Sequence, residues 1–492
     1  MVRYLVSLAA ESHPYEPTEP VLVVGLDGIL VKTNLLLESL FVLLKREPWT
    51  VMLLPLWLLR GPAYMRAELA RRTELAADTL VYNERLLERL REEHRRGRRI
   101  VLATSTHAKH ATAIARHLGV FAEVLASDAT HDLTANRKLA AIADYAGDAA
   151  FDYAGGTVAD LPIWRRSRKV ICIDASASVV SAVRSFTAPE EFVRPPRRYA
   201  RLLVRSIRVH QWLKNSLVFV PIAAAHRIWD VAADLRVLAA FCAYSLCASS
   251  IYVLNDLTDL PADRLHPRKR QRPFASGDLP LGFGLVLSPL LLAISAVIVL
   301  TVLPTIFLVV LVTYYVSSMA YNFAAKEAAV WDVVLLAGLY VLRVLAGAAA
   351  VPVAPSVWLL AFSMFVFLSL ALAKRYSEMY TLHKLGRDHA HGRGYVTEDM
   401  PALQSMGVAS GYLAVLVMAL YINSPEVHAL YARPYVLWAI CPLLLFWTTR
   451  IWLKTHRGEM HDDPVVFALR DKVSLLVGAL TIACLAIAAL RL

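Results

Sequence analysis

The chemistry-bearing residues gather in one stretch. Residues 251–273 read IYVLNDLTDLPADRLHPRKRQRP, with Asn255, Asp256, Asp259 and Asp263 spaced as NDxxDxxxD directly after an apolar run. On a helix, positions i, i+3 and i+7 share one face, so the three carboxylates repel one another at close quarters. They need a cation. Hard oxygen donors suit Mg²⁺, which commonly completes its shell with substrate phosphates. Asp256, Asp259 and Asp263 are therefore the expected metal ligands. Pro261 is expected to bend or end the helix between the second and third aspartates. Arg264, Arg268, Lys269, Arg270 and Arg272 follow at once, and such cations hold phosphate oxygens. A solvated loop explains the basic residues but not acids clustered at the end of an apolar segment.

The elements that must position this motif are mostly apolar. The chain has 492 residues, 57% of them hydrophobic, and a formal charge of +12. That length predicts two or more domains. Residues 1–200 carry charge throughout, whereas beyond about Leu217 the apolar runs reach the roughly 17–25 residues that span a bilayer. Nine such segments fall near 211–225, 236–254, 283–302, 304–322, 330–350, 356–373, 405–422, 433–452 and 473–491, the first of them short and interrupted by Pro221. With residues 1–200 in the cytoplasm, the inside loops hold Arg264 to Arg272, Lys326, Lys384, Arg387, Arg393, Lys454 and Arg457. The outside loops hold little beyond Arg227 and Arg433. This asymmetry predicts a multi-pass protein of the inner (cytoplasmic) membrane, with the charged loops facing the cytoplasm. The N-terminus lacks a long apolar run, so no signal peptide is expected. Cys172, Cys242, Cys247, Cys441 and Cys484 form no CxxC pair and read as buried thiols. The basic excess fits anionic lipid or phosphate-rich substrates, and no nucleic-acid partner is expected. Residues 191–210 are predicted to be a basic linker, broken at Pro195-Pro196 and suited to lie along headgroups.

NDxxDxxxD after an apolar helix, within about nine spans, looks like the UbiA-type prenyltransferase superfamily. The resemblance implies an all-α polytopic domain over residues 211–492 with a cytoplasm-facing, Mg²⁺-dependent site. Members typically carry two aspartate-rich motifs. Here the stretch YNFAAKEAAVWDVVLLAGLYVLRVLAGAA (321–349) offers Lys326 and the single aspartate Asp332 in the second place. Within the superfamily, IRVHQWLKN (207–215), VLNDLTDLPADRLHPRKRQRPFASG (253–277), YVLRVLAGAAA (340–350), LAKRYSEM (372–379) and ALRDKV (468–473) resemble the decaprenyl-phosphate phosphoribosyltransferases. That likeness implies transfer of 5-phosphoribose from phosphoribosyl pyrophosphate to a polyprenyl phosphate, with pyrophosphate leaving. It implies catalytic roles for Asp256, Asp259 and Asp263, with Asn255 orienting or polarising. Arg264, Lys269, Arg270 and Arg272 become candidates for the donor phosphates, with Lys269 and Arg272 preferred. Lys326 is expected either to hold a phosphate or to snorkel at the interface. Asp332 is a candidate for a ribose hydroxyl or a second metal. Arg343 lies inside an apolar run, where charge is costly and usually functional; it would hold the acceptor phosphate or pair with an acid. Lys374, Arg375 and Tyr376 suit an anionic substrate, as does Lys214 with Gln211 and Asn215 at the first span. Arg470 and Asp471 are expected to pair with each other. The alternative is an ordinary prenyltransferase acting on an aromatic or lipid acceptor; the missing second acidic pair speaks against it. A transporter or receptor is compatible with the spans but leaves the aspartate motif unexplained. A homo-oligomer stays open.

Residues 1–190 are predicted to form an α/β domain. VLVVGLDGILVKT (21–33) reads as a buried strand and turn, RRIVLATST (98–106) as a second strand, and FDYAGGTVADLPIW (151–164) as a third, with helices between. This order resembles the haloacid dehalogenase (HAD)-like hydrolases, whose first motif is DxDGT and whose later motif is GDxxxD. Gly25 stands at the nucleophile's position, Ile29 replaces the Thr, and Gly156 stands at the first metal aspartate. Asp27, Thr104, Lys138 and Asp160 remain. Glycine neither attacks phosphorus nor ligates a metal through a side chain, so the domain is expected to be inactive. An active phosphatase removing a 5-phosphate is the competing reading. Residues 35–61 are predicted to be a helical cap with an apolar face.

Overall fold

The computed structural model describes residues 5–7, 19–193, 198–227, 229–351, 353–386, 394–460 and 463–490. Pro195-Pro196, Arg387 and Arg393 lie outside them. The chain divides into two compact units, one of Met1–Ile207 with Tyr252–Leu287 and one of Arg208–Ile251 with Ser288–Leu492. The aspartate motif thus belongs with the N-terminal residues.

In the first unit the described residues form a seven-stranded sheet. Its strands are β1 (Leu5–Ser7), β2 (Val21–Val24), β3 (Ile100–His107), β4 (Glu123–Ser127), β5 (Phe151–Gly155), β6 (Lys169–Ile173) and β7 (Glu190–Phe192), in the order β1-β4-β3-β2-β5-β6-β7. Only β1 runs antiparallel to its neighbour. A parallel sheet covered on both faces calls for strands without polar alternation. β2, Val-Leu-Val-Val, meets that demand: Leu22 and Val24 enter one core cluster and Val23 the other. The loops after β2, β3 and β5 leave from the carboxyl edge, where such sheets build sites. Helix α1 (Leu35–Arg46) follows β2, its N-terminus capped by Asn34. The expected cap breaks at Glu47-Pro48 into a 3₁₀ turn, Pro48–Leu53, and two short helices. Trp49, Met52 and Leu59 project into the open there.

Eight helices among the described residues are long and apolar enough to cross a membrane. We call them α2 (Val231–Thr258), α3 (Leu281–Val302), α4 (Thr305–Phe323), α5 (Trp331–Ala350), α6 (Val357–Lys384), α7 (Thr397–Ile422), α8 (Pro434–His456) and α9 (Lys472–Ala489), α7 and α8 each opening with a 3₁₀ turn. The expected ninth, near 211–225, is a 3₁₀ run, Val209–Phe219, followed by the short helix Val220–Ala224. Pro221 lacks a donor and suits a first helical turn, so a new helix starts there and ends before reaching spanning length. This segment instead packs closely on α5: a Cβ on Gly347 would fall 2.0 Å from the Val218 carbonyl oxygen. Hydroxyls join the helices of the second unit, as Ser250 to Ser288 at 3.1 Å and Ser295 to the Ala243 carbonyl at 2.7 Å, satisfying polar groups away from water. Val286, Val297, Leu300 and Ile306 point outward, as lipid-facing positions require.

Candidate active site

In the first unit, α2 ends at Thr258 and a short helix, Leu260–Leu265, begins with Pro261 in its first turn. The break falls on the second aspartate, Asp259, rather than between the second and third as expected, because Pro261 takes a first-turn position and the new helix therefore starts at Leu260. The backbone bonds Asp259 N–H to Asn255 O and Asp263 N–H to Asp259 O, both 2.9 Å, keep the motif helical in outline. Asp256 and Asp263 are each 2% exposed and converge on one nitrogen, Arg272 Nη1, at 3.1 and 2.5 Å. Asp259 faces Lys45 of α1, whose Nζ lies 2.9 Å away. Burial pushes the Asp263 carboxyl above its ordinary range, against the pull of Arg272. Asn255 Oδ1 is buried and finds no hydrogen-bond partner among the described residues.

No group of three or more His, Cys, Asp or Glu is gathered for a metal among the described residues. The residues nevertheless fit a hard divalent cation. Two buried carboxylates already surround one positive centre, and a buried amide oxygen beside them in sequence has nothing else to bind. Arg264 is held elsewhere: its guanidinium forms a two-pronged pair with Glu38 at 2.7 and 3.0 Å, and its Nε donates to Ala275 O at 3.1 Å. Lys269 and Arg270 are exposed.

The N-terminal positions form a second cluster of this unit. Asp27 accepts from Leu35 N–H at 2.8 Å, Thr106 at 2.6 Å and Thr104 at 3.2 Å. Asp160 accepts from Tyr153 at 2.8 Å and from the Gly156 and Thr157 N–H groups at 3.0 Å each, with Lys138 3.7 Å away. Both surviving carboxylates are thus consumed by structural bonds. A Cβ at Gly25 would meet Ile29 Cδ1 at 2.3 Å, and one at Gly156 would meet the Ile173 carbonyl at 2.6 Å. At Gly156 the obstacle is backbone and leaves no room for a side chain, whereas at Gly25 it is the flexible tip of Ile29.

The second unit gathers charge around Asp463, a residue that sequence reading missed. Its Oδ2 takes Lys214 Nζ at 2.8 Å and Lys374 Nζ at 3.3 Å, while Oδ1 takes Val465 N–H at 3.2 Å and Tyr340 OH at 3.4 Å. Burial alone would raise this carboxyl, but Lys374 and Lys214 hold it well below its ordinary range. Two lysines against one carboxylate leave a surplus positive charge. The signals were two basic residues at segment ends and an Asp-Pro pair of helix-starting type.

Arg343, 5% exposed, donates to Asn215 Oδ1 at 2.9 Å and Leu339 O at 2.5 Å and lies against the rings of Tyr244, Tyr314 and Tyr340. Asn215 is fixed in turn by donating to Ser245 at 3.0 Å. Asp332 is fully buried and binds Arg375 Nε and Tyr395 OH; Arg375 also binds Glu378 and donates to Tyr321 OH at 2.7 Å. Arg375 therefore serves a buried carboxylate. Tyr376 packs on Trp452 and bonds His456 Nδ1 at 2.9 Å. Lys326 sits in the turn Ala325–Glu327, half-buried. The expected Arg470–Asp471 pair is replaced. Asp471 caps α9 and binds Arg450 at 2.6 and 3.0 Å, because adjacent side chains at the turn diverge while Arg450 on α8 faces it.

Comparison with known proteins bears on both units. The UbiA prenyltransferase family matches residues 216–476, and the haloacid dehalogenase-like hydrolases match residues 26–162. An uncharacterized protein, y4nM, of Sinorhizobium fredii is 34% identical over 463 residues, covering 93% of this chain and 89% of that protein. Decaprenyl-phosphate phosphoribosyltransferase of Mycolicibacterium smegmatis is 35% identical over 198 residues, covering 39% of this chain and 61% of that protein. A UbiA homolog from Archaeoglobus fulgidus, solved with GPP and Mg²⁺, aligns with a TM-score of 0.43 at 16% identity, over 58% of this chain and 99% of that one.

Proposed function

The chain belongs to the UbiA prenyltransferase family, and from that premise we propose that it is a membrane transferase moving 5-phosphoribose from phosphoribosyl pyrophosphate to a polyprenyl phosphate of the decaprenyl type. The observation that carries the reading is the 35% identity over 198 residues to a decaprenyl-phosphate phosphoribosyltransferase. The commitment of Asp332 to Arg375 and Tyr395 supports it. Asp332 is also the single aspartate in the stretch 321–349, where a second acidic pair would need two.

In the proposed reaction an oxygen of the lipid phosphate attacks the anomeric carbon. The new C–O bond forms as the bond to pyrophosphate breaks, and pyrophosphate leaves with the electron pair. The attacking monoester is already anionic, so no strong base is required. The work of the protein is to position two anions and neutralise the leaving group. Asp256, Asp259 and Asp263, with Asn255, would hold Mg²⁺, which supplies that neutralisation when bound. Arg272 and Lys269 are assigned to donor phosphates. Lys214 and Lys374, two cations sharing Asp463, are assigned to an anionic substrate group, and Arg343 to the acceptor phosphate. Residues 1–190 are proposed to lack phosphatase activity, because Gly25 and Gly156 have no side chain to act and the Ile173 carbonyl leaves no room for one at Gly156. The charged loops are proposed to face the cytoplasm.

The test mixes detergent-purified protein with labelled phosphoribosyl pyrophosphate, Mg²⁺ and a polyprenyl phosphate, and counts lipid-extractable label. Label abolished by EDTA, and reduced about 100-fold by Asp256→Asn, is the expected result. Full turnover in that variant overturns the site. Transfer from a prenyl diphosphate instead, with none from phosphoribosyl pyrophosphate, replaces the reaction by prenyl transfer.

A further inference from the structure

The N-terminal domain carries Gly25 and Gly156 in place of two motif carboxylates, and its first helix reaches the aspartate motif. α1 carries Glu38 and Lys45 seven residues apart, on one face of the helix. Lys45 meets Asp259 at 2.9 Å. Glu38, 3% exposed, grips Arg264, whose side chain is 5% exposed, through both guanidinium prongs. Thr33 donates to Glu38 and fixes it from the other side. Arg264 in turn holds Ala275 O, tying the return limb of the loop. At the far end, Gly277 adopts φ +70° and passes so close to Lys32 that an added Cβ would lie 3.1 Å from its Cβ. The loop from Asp259 to Gly277 is therefore braced at three points on the single segment 32–45.

The brace is anchored in the degenerate site. Asp27 Oδ1 accepts the Leu35 N–H, the first amide of α1, and its Oδ2 is held by Thr104 and Thr106. A carboxylate at a helix N-terminus is stabilised by the exposed amides and the helix dipole. The old carboxylate now sets where α1 starts, and α1 sets where the aspartates stand.

We propose that Lys45 and Glu38 are positioning residues of the transferase: the N-terminal domain holds the aspartate loop in register for its cation and donor. Arg272 serves Asp256 and Asp263, and Lys45 gives the third carboxylate, Asp259, a cation of its own. A buried, two-pronged Glu38–Arg264 pair supplies geometric definition that a single point charge does not. The inference rests on the transferase reading for its kinetic arm only.

The experiment compares full-length Glu38→Gln, Lys45→Ala, Glu38→Asp and Lys45→Arg with the parent by three readouts. These are kcat and KM for the donor, Mn²⁺ affinity by electron paramagnetic resonance, and hydrogen exchange over residues 259–278. Misplacement of a reacting group by about 1 Å costs up to about 100-fold in rate. The expected result is a kcat lower by about 10- to 100-fold in Glu38→Gln and Lys45→Ala, with donor KM little changed. Altered Mn²⁺ binding, weaker in Glu38→Gln where no competing cation is removed, faster exchange confined to the loop, and substantial recovery in the Asp and Arg variants are expected with it. A kcat within about twofold of the parent in both variants overturns the proposal. So does a rise in KM alone, which would make Lys45 a direct donor ligand. If the parent transfers no phosphoribose, the transferase reading fails by itself. Mn²⁺ affinity and exchange then decide the brace, and parent-like values in both variants overturn it.

Discussion

At the scale of single residues, the two glycines of the N-terminal site and the arginine of α5 make opposite demands. Reverting Gly25 supplies a carboxylate but does not restore its neighbours. A side chain there would push aside the flexible tip of Ile29, 2.3 Å away, while the retained Asp27 is already spent on Leu35, Thr104 and Thr106. We expect Gly25→Asp to show no hydrolysis of p-nitrophenyl phosphate above the parent; hydrolysis would show that the pocket still accepts a phosphoryl group. Arg343 is the reverse case, a charge that its surroundings fully define. Its bonds to Asn215 and Leu339 use separate nitrogens, which an ammonium on a flexible stem does not reproduce. Arg343→Lys is therefore expected to lose transfer about as severely as Arg343→Met. A lost charge-assisted bond is worth about 1.5–3 kcal/mol, or roughly 10- to 100-fold in kcat/KM. Recovery by Lys would reduce the role to charge alone. Arg343 was legible because a charge inside an apolar run has few bland explanations. Asp463 was not, because its meaning depends on Lys214 and Lys374, and Lys214 lies 249 residues away.

At the scale of elements, the sheet rests on a buried charge that spacing could not reveal. Asp152 on β5 is fully buried and takes Arg98 and Arg168, the latter at 2.7 and 2.9 Å. Burial would raise its carboxyl, but the two guanidinium groups hold it below the ordinary range. A depressed folded value means stability that is present above the unfolded pKa and lost as pH falls through the folded one. Asp152→Ala should cost about 1–3 kcal/mol at neutral pH, the worth of lost charge-assisted bonds, because Arg98 keeps Glu93 and Arg168 is half exposed to water. It should also flatten the acid limb of the thermal-midpoint profile, and an unchanged profile would exclude this pair as its source. Elements whose signal is local were readable. β2, β3 and β5 announced themselves as apolar runs ending in turn or hydroxyl residues, and eight helices by length and hydropathy. The segment at 211–225 misled because its composition is that of a span, while Pro221 divides it into a 3₁₀ run and a single short helix.

At the scale of the whole molecule, the compact units do not follow the division that composition suggests. Apolar content changes near residue 200, but residues 252–287 cluster with the N-terminal residues. No local pattern carries that information; it resides in pairs such as Glu38 with Arg264, separated by 226 positions. A chain beginning at Arg208 keeps NDxxDxxxD and every candidate span yet loses Glu38, Lys45 and Lys32. We expect it to insert into membranes with parent-like helix content but to transfer no label, and parent-level transfer would show that the brace is dispensable. The history of the protein follows from the same feature. A domain that carries Gly25 and Gly156 where its family's motifs place aspartates would, without another task, be free to decay or be deleted. If its first helix holds the aspartate loop as proposed, selection on transfer alone would suffice to preserve it. A domain without hydrolysis of its own would then persist by inheritance as a scaffold.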